Sequence, residues 1–283
     1  MVIEERSADV YQYLLEDNKW TFLKNIKIGN QRGNICGIFQ INNICYVFDG
    51  EAYEKLPDDG KYYTFSKNSK FYRAEACQIE NEILLIGQHE IDGYSTKDRK
   101  SKTIDVVEGT TQNKRITTKR GGYAVVEYQG SIWITGGFLC PNDKSIDFCN
   151  DIEVYDRKSN TSKLLPIKMI QTRFFHKVIV YKSKLFIFGG RHFNGEHFNT
   201  VEMYSPFANK FVKKAPMKIA RSAFSCCRVG NHVYVIGGCT GKNKKPTKSV
   251  EIYNLDTDTW SDGVDLPVPL DGNYGCVVNK KLC

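Results

Sequence analysis

The chain has 283 residues, enough to bury a full core in one all-β domain, so its length alone does not divide it. Aromatic residues make up 12% of the sequence and proline occurs 8 times, a composition that favours strands. No apolar run approaches the about 20 residues of a membrane-spanning helix, which disfavours a membrane partner. The stretch 1–16 is charged and lacks the apolar core of a signal peptide, so we expect a cytoplasmic protein.

The cysteines and the charge narrow the class further. Because no secretion signal is evident and the chain is long, its 10 cysteines are expected to be free thiols that pack as small hydrophobes. The net charge of +8 is spread along the chain, and its densest run is Lys242, Lys244, Lys245 and Lys248 in a predicted loop. Such a run is usually a solvated loop, and the alternative is a site for an acidic partner. No aromatic residues interleave with these lysines, which disfavours nucleic acid.

In chain order, the residues from 8 to 25 have the pattern of the second half of a repeat. A strand over Asp9–Tyr13, a polar turn and a second strand at Lys19–Phe22 are predicted there. The same shape returns at Val250–Tyr253, followed by Trp260. We therefore expect the chain to begin in the middle of a repeat unit.

Further along, one phrase recurs: four apolar residues and then two glycines. A run of four β-formers favours a buried strand, and the glycines allow a turn that a Cβ would resist. Imperfect copies over 45–50 and 83–88 have one glycine each. The copies recur about every 50 residues, a period that indicates a repeat architecture. The paired glycines, predicted to be structural, are Gly136, Gly137, Gly189, Gly190, Gly237 and Gly238.

Five complete units follow the N-terminal half unit, each with four strand-like segments. The last segment, 275–283, aligns with 226–234, the opening of a unit. The whole chain is predicted to be one domain with units near 1–30 (partial), 31–70, 71–119, 120–171, 172–219, 220–269 and 270–283 (partial).

These partial units predict how the fold closes. The C-terminal segment has the start of a unit and the N-terminal segment has its end, so the two can complete one sheet. Such a closed arrangement leaves no free sheet edge. We therefore predict an all-β, six-bladed β-propeller of four-stranded blades, with one blade shared between the N- and C-terminal segments. The shared blade is expected to lack most of its second strand, so either the chain is a truncated product or that blade is incomplete and weak.

The pattern resembles the kelch repeat family, and within it the kelch propeller domain of kelch-like (BTB-kelch) proteins, over nearly the whole chain. The resemblance is carried by the glycine pairs, by the tyrosines Tyr155, Tyr204 and Tyr253 downstream of them, and by an aromatic at Phe211 or Trp260. The tyrosines are expected to pack internally. The first two full units depart from the pattern, so their loops are expected to be remodelled.

The resemblance implies that function lies on one mouth of the propeller, where kelch-like adaptors hold a short, often acidic, peptide. Arginines that open the repeats make such contacts in the family, and the matching residues here are Arg120, Arg173 and Arg221. A guanidinium group binds carboxylates bidentately, which fits this role. The alternative is that these arginines satisfy carbonyls between blades, and this alternative is favoured for Arg32 and Arg73, which lie off the register.

The loop after Gly189 and Gly190 is a second candidate for partner contacts. Arg191, His192 and Phe193 are predicted to contact the partner, and Phe138 and Phe198 are further candidate anchors in such loops. His192, His197 and Glu196 could ligate a metal, but no third fixed ligand is evident and a contact loop is favoured. No metal or other cofactor is predicted.

Three functions remain to be compared. The first is a protein-binding module that acts as substrate receptor of a cullin-type ubiquitin ligase; since no helical BTB or BACK region is evident, this chain alone is expected to bind a substrate without recruiting the ligase. The alternative is an actin-binding or cytoskeletal scaffold. An enzyme is disfavoured because no metal set, phosphate loop or nucleophile motif is found.

Overall fold

All secondary structure of the described residues is β-strand, with no helix and hence no helix able to span a membrane. The structure is a computed structural model, and it describes residues 2–3, 9–25, 37–41, 44–48, 52–56, 62–64, 75–79, 82–86, 91–95, 120–142, 145–156, 158–159, 161–272 and 274–275.

Ten strands are described in the first hundred residues. In chain order they are β1 (Val2–Ile3), β2 (Asp9–Leu14), β3 (Lys19–Asn25), β4 (Gly37–Ile41), β5 (Ile44–Phe48), β6 (Ala52–Leu56), β7 (Tyr62–Thr64), β8 (Glu75–Ile79), β9 (Glu82–Ile86) and β10 (Ile91–Ser95).

The remaining strands are described from residue 120 onward. They are β11 (Arg120–Gly121), β12 (Ala124–Tyr128), β13 (Ser131–Thr135), β14 (Phe138–Asn142), β15 (Ser145–Phe148), β16 (Asp151–Asp156), β17 (Thr161–Lys168), β18 (Lys177–Tyr181), β19 (Lys184–Phe188), β20 (Val201–Ser205), β21 (Lys210–Lys214), β22 (Ser225–Val229), β23 (His232–Ile236), β24 (Cys239–Thr240), β25 (Lys245–Pro246), β26 (Val250–Asn254), β27 (Thr259–Asp262) and β28 (Tyr274–Gly275).

The strands form four-stranded antiparallel sheets, as predicted. The orders β4-β5-β6-β7, β12-β13-β16-β17, β18-β19-β20-β21 and β22-β23-β26-β27 each follow the chain, and β8-β9-β10 is a three-stranded counterpart in the described residues. The predicted fourth strand of that unit, 103–107, lies outside the described residues. Two small sheets, β11-β14-β15 and β24-β25, include the loops that follow glycine pairs, and β11 adds the residues that open its unit.

A fifth four-stranded sheet joins the two ends of the chain in the order β28-β1-β2-β3. Val2 lies opposite both Gly275 and Tyr11, so the N-terminal residues stand between the C-terminal strand and β2. This arrangement confirms that one sheet is shared between the N- and C-terminal segments, and the second strand of that sheet has only two residues in the described part of the chain. The N-terminal residues Val2–Ile3 supply that strand, whereas 276–283 lie outside the described residues.

The strand before the glycine pair is buried on both faces in β13 and β19. In β19, Leu185, Phe186, Ile187 and Phe188 are all at most 2% exposed, so the sequence runs apolar without alternation. Such a run is expected where neighbouring sheets cover a strand on each side. The apolar phrase therefore marks the second strand of each sheet.

The core lies between successive sheets. One cluster joins Trp133 and Val154 to Leu185 and Tyr204 of the next sheet, and another joins Trp20 of the N-terminal segment to Cys227 and neighbouring residues. The indole N–H of Trp20 donates to the Val264 carbonyl at 2.9 Å, as that of Trp260 donates to Ala215 one sheet earlier. The N-terminal segment thus occupies the position of a repeat unit.

The first strands of the sheets contact one another in a closed series. β4 contacts β8, β8 contacts β12, and the series continues through β18, β22 and β28 back to β4. The count of six blades and the unit boundaries given above stay predictions.

Candidate functional site

The three arginines that open the later units are fully buried. Arg120, Arg173 and Arg221 each have 0% of their surface exposed. In each unit, Nη1 donates to the carbonyl of the first glycine of the pair, with N···O distances of 3.1, 2.6 and 2.8 Å. In each, Nη2 forms an ion pair with a buried glutamate. The partners, in the same order, are Glu153, Glu202 and Glu251.

This geometry corrects the prediction that Arg120, Arg173 and Arg221 contact a partner. A guanidinium group without exposed surface cannot reach a ligand. Its Nη groups instead donate hydrogen bonds to carbonyls and a carboxylate inside the protein. The structural alternative is therefore the one that the structure shows. Arg32 and Arg73 lie outside the described residues.

Two of the glutamates extend these ion pairs to the loop before the arginine. Glu202 accepts hydrogen bonds from the backbone N–H groups of Ile170 (2.7 Å) and Gln171 (3.0 Å), and Glu251 accepts from the equivalent N–H groups two and three residues before Arg221. Burial lowers the pKa of the Arg173 guanidinium, and the adjacent Glu202 carboxylate opposes the shift. Arginine remains cationic in proteins, so the pair is ionic.

Sequence reasoning missed these glutamates. Each is the second residue of a strand phrase that ends in tyrosine: Ile152–Tyr155, Val201–Tyr204 and Val250–Tyr253. A carboxylate that recurs between apolar residues of a buried strand requires a cationic partner, and each of these units also contains an arginine at a fixed position. That coincidence was the available signal.

The glycine pairs turn the chain directly against the next unit's arginine. Gly189 has φ +54°, and a Cβ there would lie 2.7 Å from the Arg221 carbonyl oxygen. The N–H of Gly190 donates to that same carbonyl at 2.9 Å. All six paired glycines have positive φ, so the geometry agrees with their predicted structural role.

Beyond the glycine pairs, the chain forms three loops at the same end of the sheets. We call them the mouth loops: 138–148, 191–198 and 239–248, described except for residues 143–144. Each begins with a residue whose backbone pairs with the residue after the unit's arginine, as in Phe174 and Arg191, which exchange two N–H···O bonds of 3.2 and 3.0 Å. The backbone of the first residue of each mouth loop is therefore held by pairing with its neighbour. The side chain at this position differs between units: Phe138, Arg191 and Cys239.

A second register position links consecutive units at the mouth. Gly122, Phe175 and Ala223, two residues after the arginines, have φ values of +63°, +55° and +52°. The N–H of Phe175 donates to the Gly122 carbonyl at 2.7 Å, and the N–H of Ala223 donates to the Phe175 carbonyl at 2.9 Å. The backbone conformation is the same at the three positions, whereas the side chain is absent in Gly122, a methyl group in Ala223 and a benzyl group in Phe175.

Five phenylalanines of two neighbouring units form one cluster at the mouth. Phe148 lies 5.2 Å from Phe174 and 5.6 Å from Phe193, measured between ring centroids, so the cluster bridges two mouth loops. Phe193 is 62% exposed and Phe175 is 38% exposed. We call Phe138, Phe148, Phe174, Phe175 and Phe193 the phenylalanine cluster. Partly exposed aromatic rings of this kind serve as binding anchors.

Arg191 lies over the phenylalanine cluster. Its guanidinium carbon is 4.7 Å from the Phe174 ring centroid and 5.3 Å from that of Phe175. Within the described residues no carboxylate pairs with Arg191, and its buried Nε has no hydrogen-bond partner. Burial lowers the pKa of this guanidinium, which nevertheless stays charged. The mouth thus presents a half-buried cation whose Nε has no acceptor among the described residues.

The histidines of this loop add packing more than charge. The His192 ring lies 4.1 Å from the Phe193 ring, whereas His197 is buried and its pKa is lowered by burial, Arg191 and Lys244. No group of three His, Cys, Asp or Glu residues that could hold a metal occurs among the described residues. The predicted contact residues Arg191, His192 and Phe193 therefore lie together, while Phe198 is only 9% exposed and turns inward under Arg173.

The basic run lies in the third mouth loop. Strands β24 and β25 pair as a short hairpin, and the side chains of Lys242, Lys244, Lys245 and Lys248 are exposed. The hairpin follows Gly238 as Arg191 follows Gly190. Its positive charge therefore stands at the same end of the molecule as Arg191.

Comparison with known proteins identifies the repeat. A family model described as the KLHDC2/KLHL20/DRC7 Kelch-repeats domain matches residues 122–283. The solved structure of YjhT, a kelch-type propeller, superposes with a TM-score of 0.56 and 12% identity, covering 71% of this chain and 67% of that one. At that identity the likeness concerns the fold alone.

Several curated relatives match over part of their length. Kelch repeat and BTB domain-containing protein 12 of Danio rerio is 25% identical over 216 residues, which cover 68% of this chain and 33% of that protein. Kelch-like protein 36 of Bos taurus is 27% identical over 167 residues, 56% of this chain and 26% of its own. F-box protein AFR of Arabidopsis thaliana is 30% identical over 102 residues, 36% and 26% of the two chains. The matched part is thus a third or less of each relative.

Proposed function

This chain belongs to the family of KLHDC2/KLHL20/DRC7 Kelch-repeat domains, and from that premise we propose that it is the substrate receptor of a cullin-type ubiquitin ligase. It is a protein-interaction module, and the partner that we propose is a short acidic peptide segment held at the mouth. The proposed setting is the cytoplasm, with no catalytic activity of its own.

One observation carries this proposal. Arg191 is a half-buried cation without a carboxylate partner in the described part of the chain, and it stands on an exposed aromatic surface. By contrast, the three buried arginines each have a glutamate. A guanidinium group left in this state is suited to accept a carboxylate from another molecule.

The loop geometry favours binding in a second way. The backbone of Arg191 is fixed on Phe174 by two hydrogen bonds, and that of Phe175 is fixed between two neighbouring units. A surface that is already ordered loses little conformational freedom when a peptide docks. The exposed lysines of the hairpin β24–β25 would attract an acidic segment from a distance and steer it to the mouth.

The ligase role is supported by the relatives' names. One name joins a kelch repeat to a BTB domain, another contains the term F-box, and the match covers only a part of each protein. The resemblance to BTB-kelch adaptors implies that the kelch part holds the substrate and other parts contact the cullin. We propose the same division of labour here.

The test is affinity capture from cells, followed by mass spectrometry. The test variant is Arg191→Ala with Phe193→Ala at the mouth. The matched control is Arg228→Ala with Phe207→Ala, an exposed arginine and a fully exposed phenylalanine at the opposite end of the sheets. We expect partners that the parent and the control capture and the mouth variant loses. Those partners should accumulate when cullin activation is inhibited.

Two other results would count against the proposal. An unchanged partner list in the mouth variant would exclude the mouth as the binding site. Retention of actin filaments by all three proteins, weakened by salt, would favour the cytoskeletal scaffold instead.

A further inference from the structure

We infer that the mouth selects a two-part motif: a large apolar or aromatic side chain next to a carboxylate, the first received by the phenylalanine cluster and the second by Arg191. This inference rests on the proposed function and specifies its partner. Phe175 is assigned as the residue that sets the apolar preference.

The first support is the backbone at Phe175. A φ of +55° is a conformation that bulky side chains rarely adopt, and the equivalent residues are Gly122 and Ala223. Hydrogen bonds to Gly122 on one side and from Ala223 on the other hold the backbone in place. Bulky residues with a positive φ concentrate at ligand sites. Elsewhere a small residue such as glycine adopts the same φ without strain, so a bulky one is not expected. The ring at this position is not needed for the turn.

The second support is the spacing of the two subsites. The Arg191 guanidinium carbon lies 5.3 Å from the Phe175 ring centroid. An extended peptide advances about 3.3 Å per residue. An apolar residue and an acidic residue one or two positions apart can therefore reach the two subsites together.

The third support is the charge around Arg191. The other charged groups described in the mouth loops are mostly lysines, and the acidic side chains Asp147 and Glu196 form no ion pair with Arg191. A carboxylate is the ligand group that complements this surface.

Aromatic rings beside cations can also stack nucleobases, but the ring faces here favour a peptide. Arg191 covers faces of Phe174 and Phe175, and Phe148 packs at tilted angles against Phe174 and Phe193. Base stacking needs free, parallel faces. Phe193 and Phe175 keep 62% and 38% of their surface exposed, which leaves apolar area for a side chain of the peptide.

The experiment measures binding of the full chain to defined peptide pools by fluorescence anisotropy. One pool has Phe or Leu fixed within two positions of Glu in otherwise random dodecapeptides. A second pool has Ser in place of the apolar residue, a third has Gln in place of Glu, and random single-stranded RNA is the fourth probe. We expect the first pool to bind about ten-fold more tightly than each of the others.

Matched variants assign the two subsites. Phe175→Gly should lose the preference for the apolar residue and keep the preference for Glu, while Ala223→Gly, the same backbone change one unit later, should bind like the parent. Arg191→Gln should lose the preference for Glu, and Arg228→Gln should not. Thermal melting of each variant checks that it is folded, and Phe175→Gly is expected to stay folded because glycine accepts the positive φ.

The inference is overturned if the pools bind equally, if RNA binds more tightly than the first pool, or if Phe175→Gly keeps the parent's preferences. If cellular partners still depend on the mouth while no pool is preferred, this inference fails and the proposed function stands. If the mouth variant loses no cellular partner, both fail.

Discussion

Two layers of the same repeat behave in opposite ways. In the buried layer, the arginine, the first glycine and the glutamate recur in three units with the same contacts. At the mouth, positions with equally regular backbone hold different side chains: Phe138, Arg191 and Cys239. The regular layer builds the fold, and the irregular layer is where this chain can acquire specificity.

The sharpest way to break the buried layer is Arg173→Ala. The variant leaves Glu202 as an uncompensated charge at 1% exposure, so we expect a loss of about 3–5 kcal/mol in the free energy of unfolding. Urea denaturation measures it. The double variant Arg173→Met with Glu202→Leu should lose less than the single one. Parent-like stability of Arg173→Ala would contradict the structural role.

Two contributions of the glycine turn to stability can be measured separately: the positive φ angle and the close approach of a neighbouring backbone. Gly189 and Gly230 have similar φ values, +54° and +60°, but a Cβ at Gly189 meets the Arg221 carbonyl whereas one at Gly230 meets nothing within 4 Å. Gly230→Ala should cost about 1–2 kcal/mol for the left-handed backbone. Gly189→Ala should cost about 1–3 kcal/mol more because of overpacking. Equal losses by chemical denaturation would show that the close approach does not matter.

A pH test addresses His176, which stands where the other units have Tyr123 and Phe224. Burial, Arg173 and Lys177 hold the pKa of His176 well below 6.5, and its Nε2 contacts the Thr135 hydroxyl at 2.9 Å. As the pH falls, the imidazole of the unfolded chain takes up a proton before that of the folded chain. The contribution of His176 to the free energy of unfolding is therefore fully present above pH 6.5 and is lost below it, by at most about 1.4 kcal/mol per pH unit.

The control for that test is His176→Phe. Melting temperatures of both proteins between pH 8 and pH 5 should diverge, with the parent losing more stability toward acid. Parallel curves would mean that folding does not lower the pKa of the His176 imidazole.

The smallest effect is expected from an ion pair of the same chemistry at the surface. Lys218 Nζ lies 2.6 Å from Asp262 Oδ1, but the two side chains are 54% and 74% exposed. Lys218→Ala should change the free energy of unfolding by about 0–1 kcal/mol, because water and salt screen the pair. Thermal denaturation in low and high salt measures it, and a loss near that of Arg173→Ala would remove the contrast between buried and exposed pairs.

Sequence patterns predicted the fold well because strands, turns and their period are local signals. The apolar phrase before Gly189, the strand Val250–Tyr253 and the pairing of the two chain ends all follow from residue order. The mouth was predicted only in part. The position of Arg191, His192 and Phe193 after a glycine pair predicts one shared loop, and their contact with a partner stays a prediction. The burial of Arg173 depends on packing between sheets, and the positive φ of Phe175 is a backbone angle that no local pattern reveals.

The sheet shared by the two chain ends also has a consequence for the order of events during synthesis. Residue 2 cannot pair with residue 275 until the chain between them has been made, so one edge of β1 stays unpaired while the later strands are translated. The entropic cost of closing so large a loop is modest, since each doubling of length adds about 0.6 kcal/mol. The delay is therefore one of time more than of free energy, and a nascent chain stalled before β28 would present that edge to chaperones or to other nascent chains.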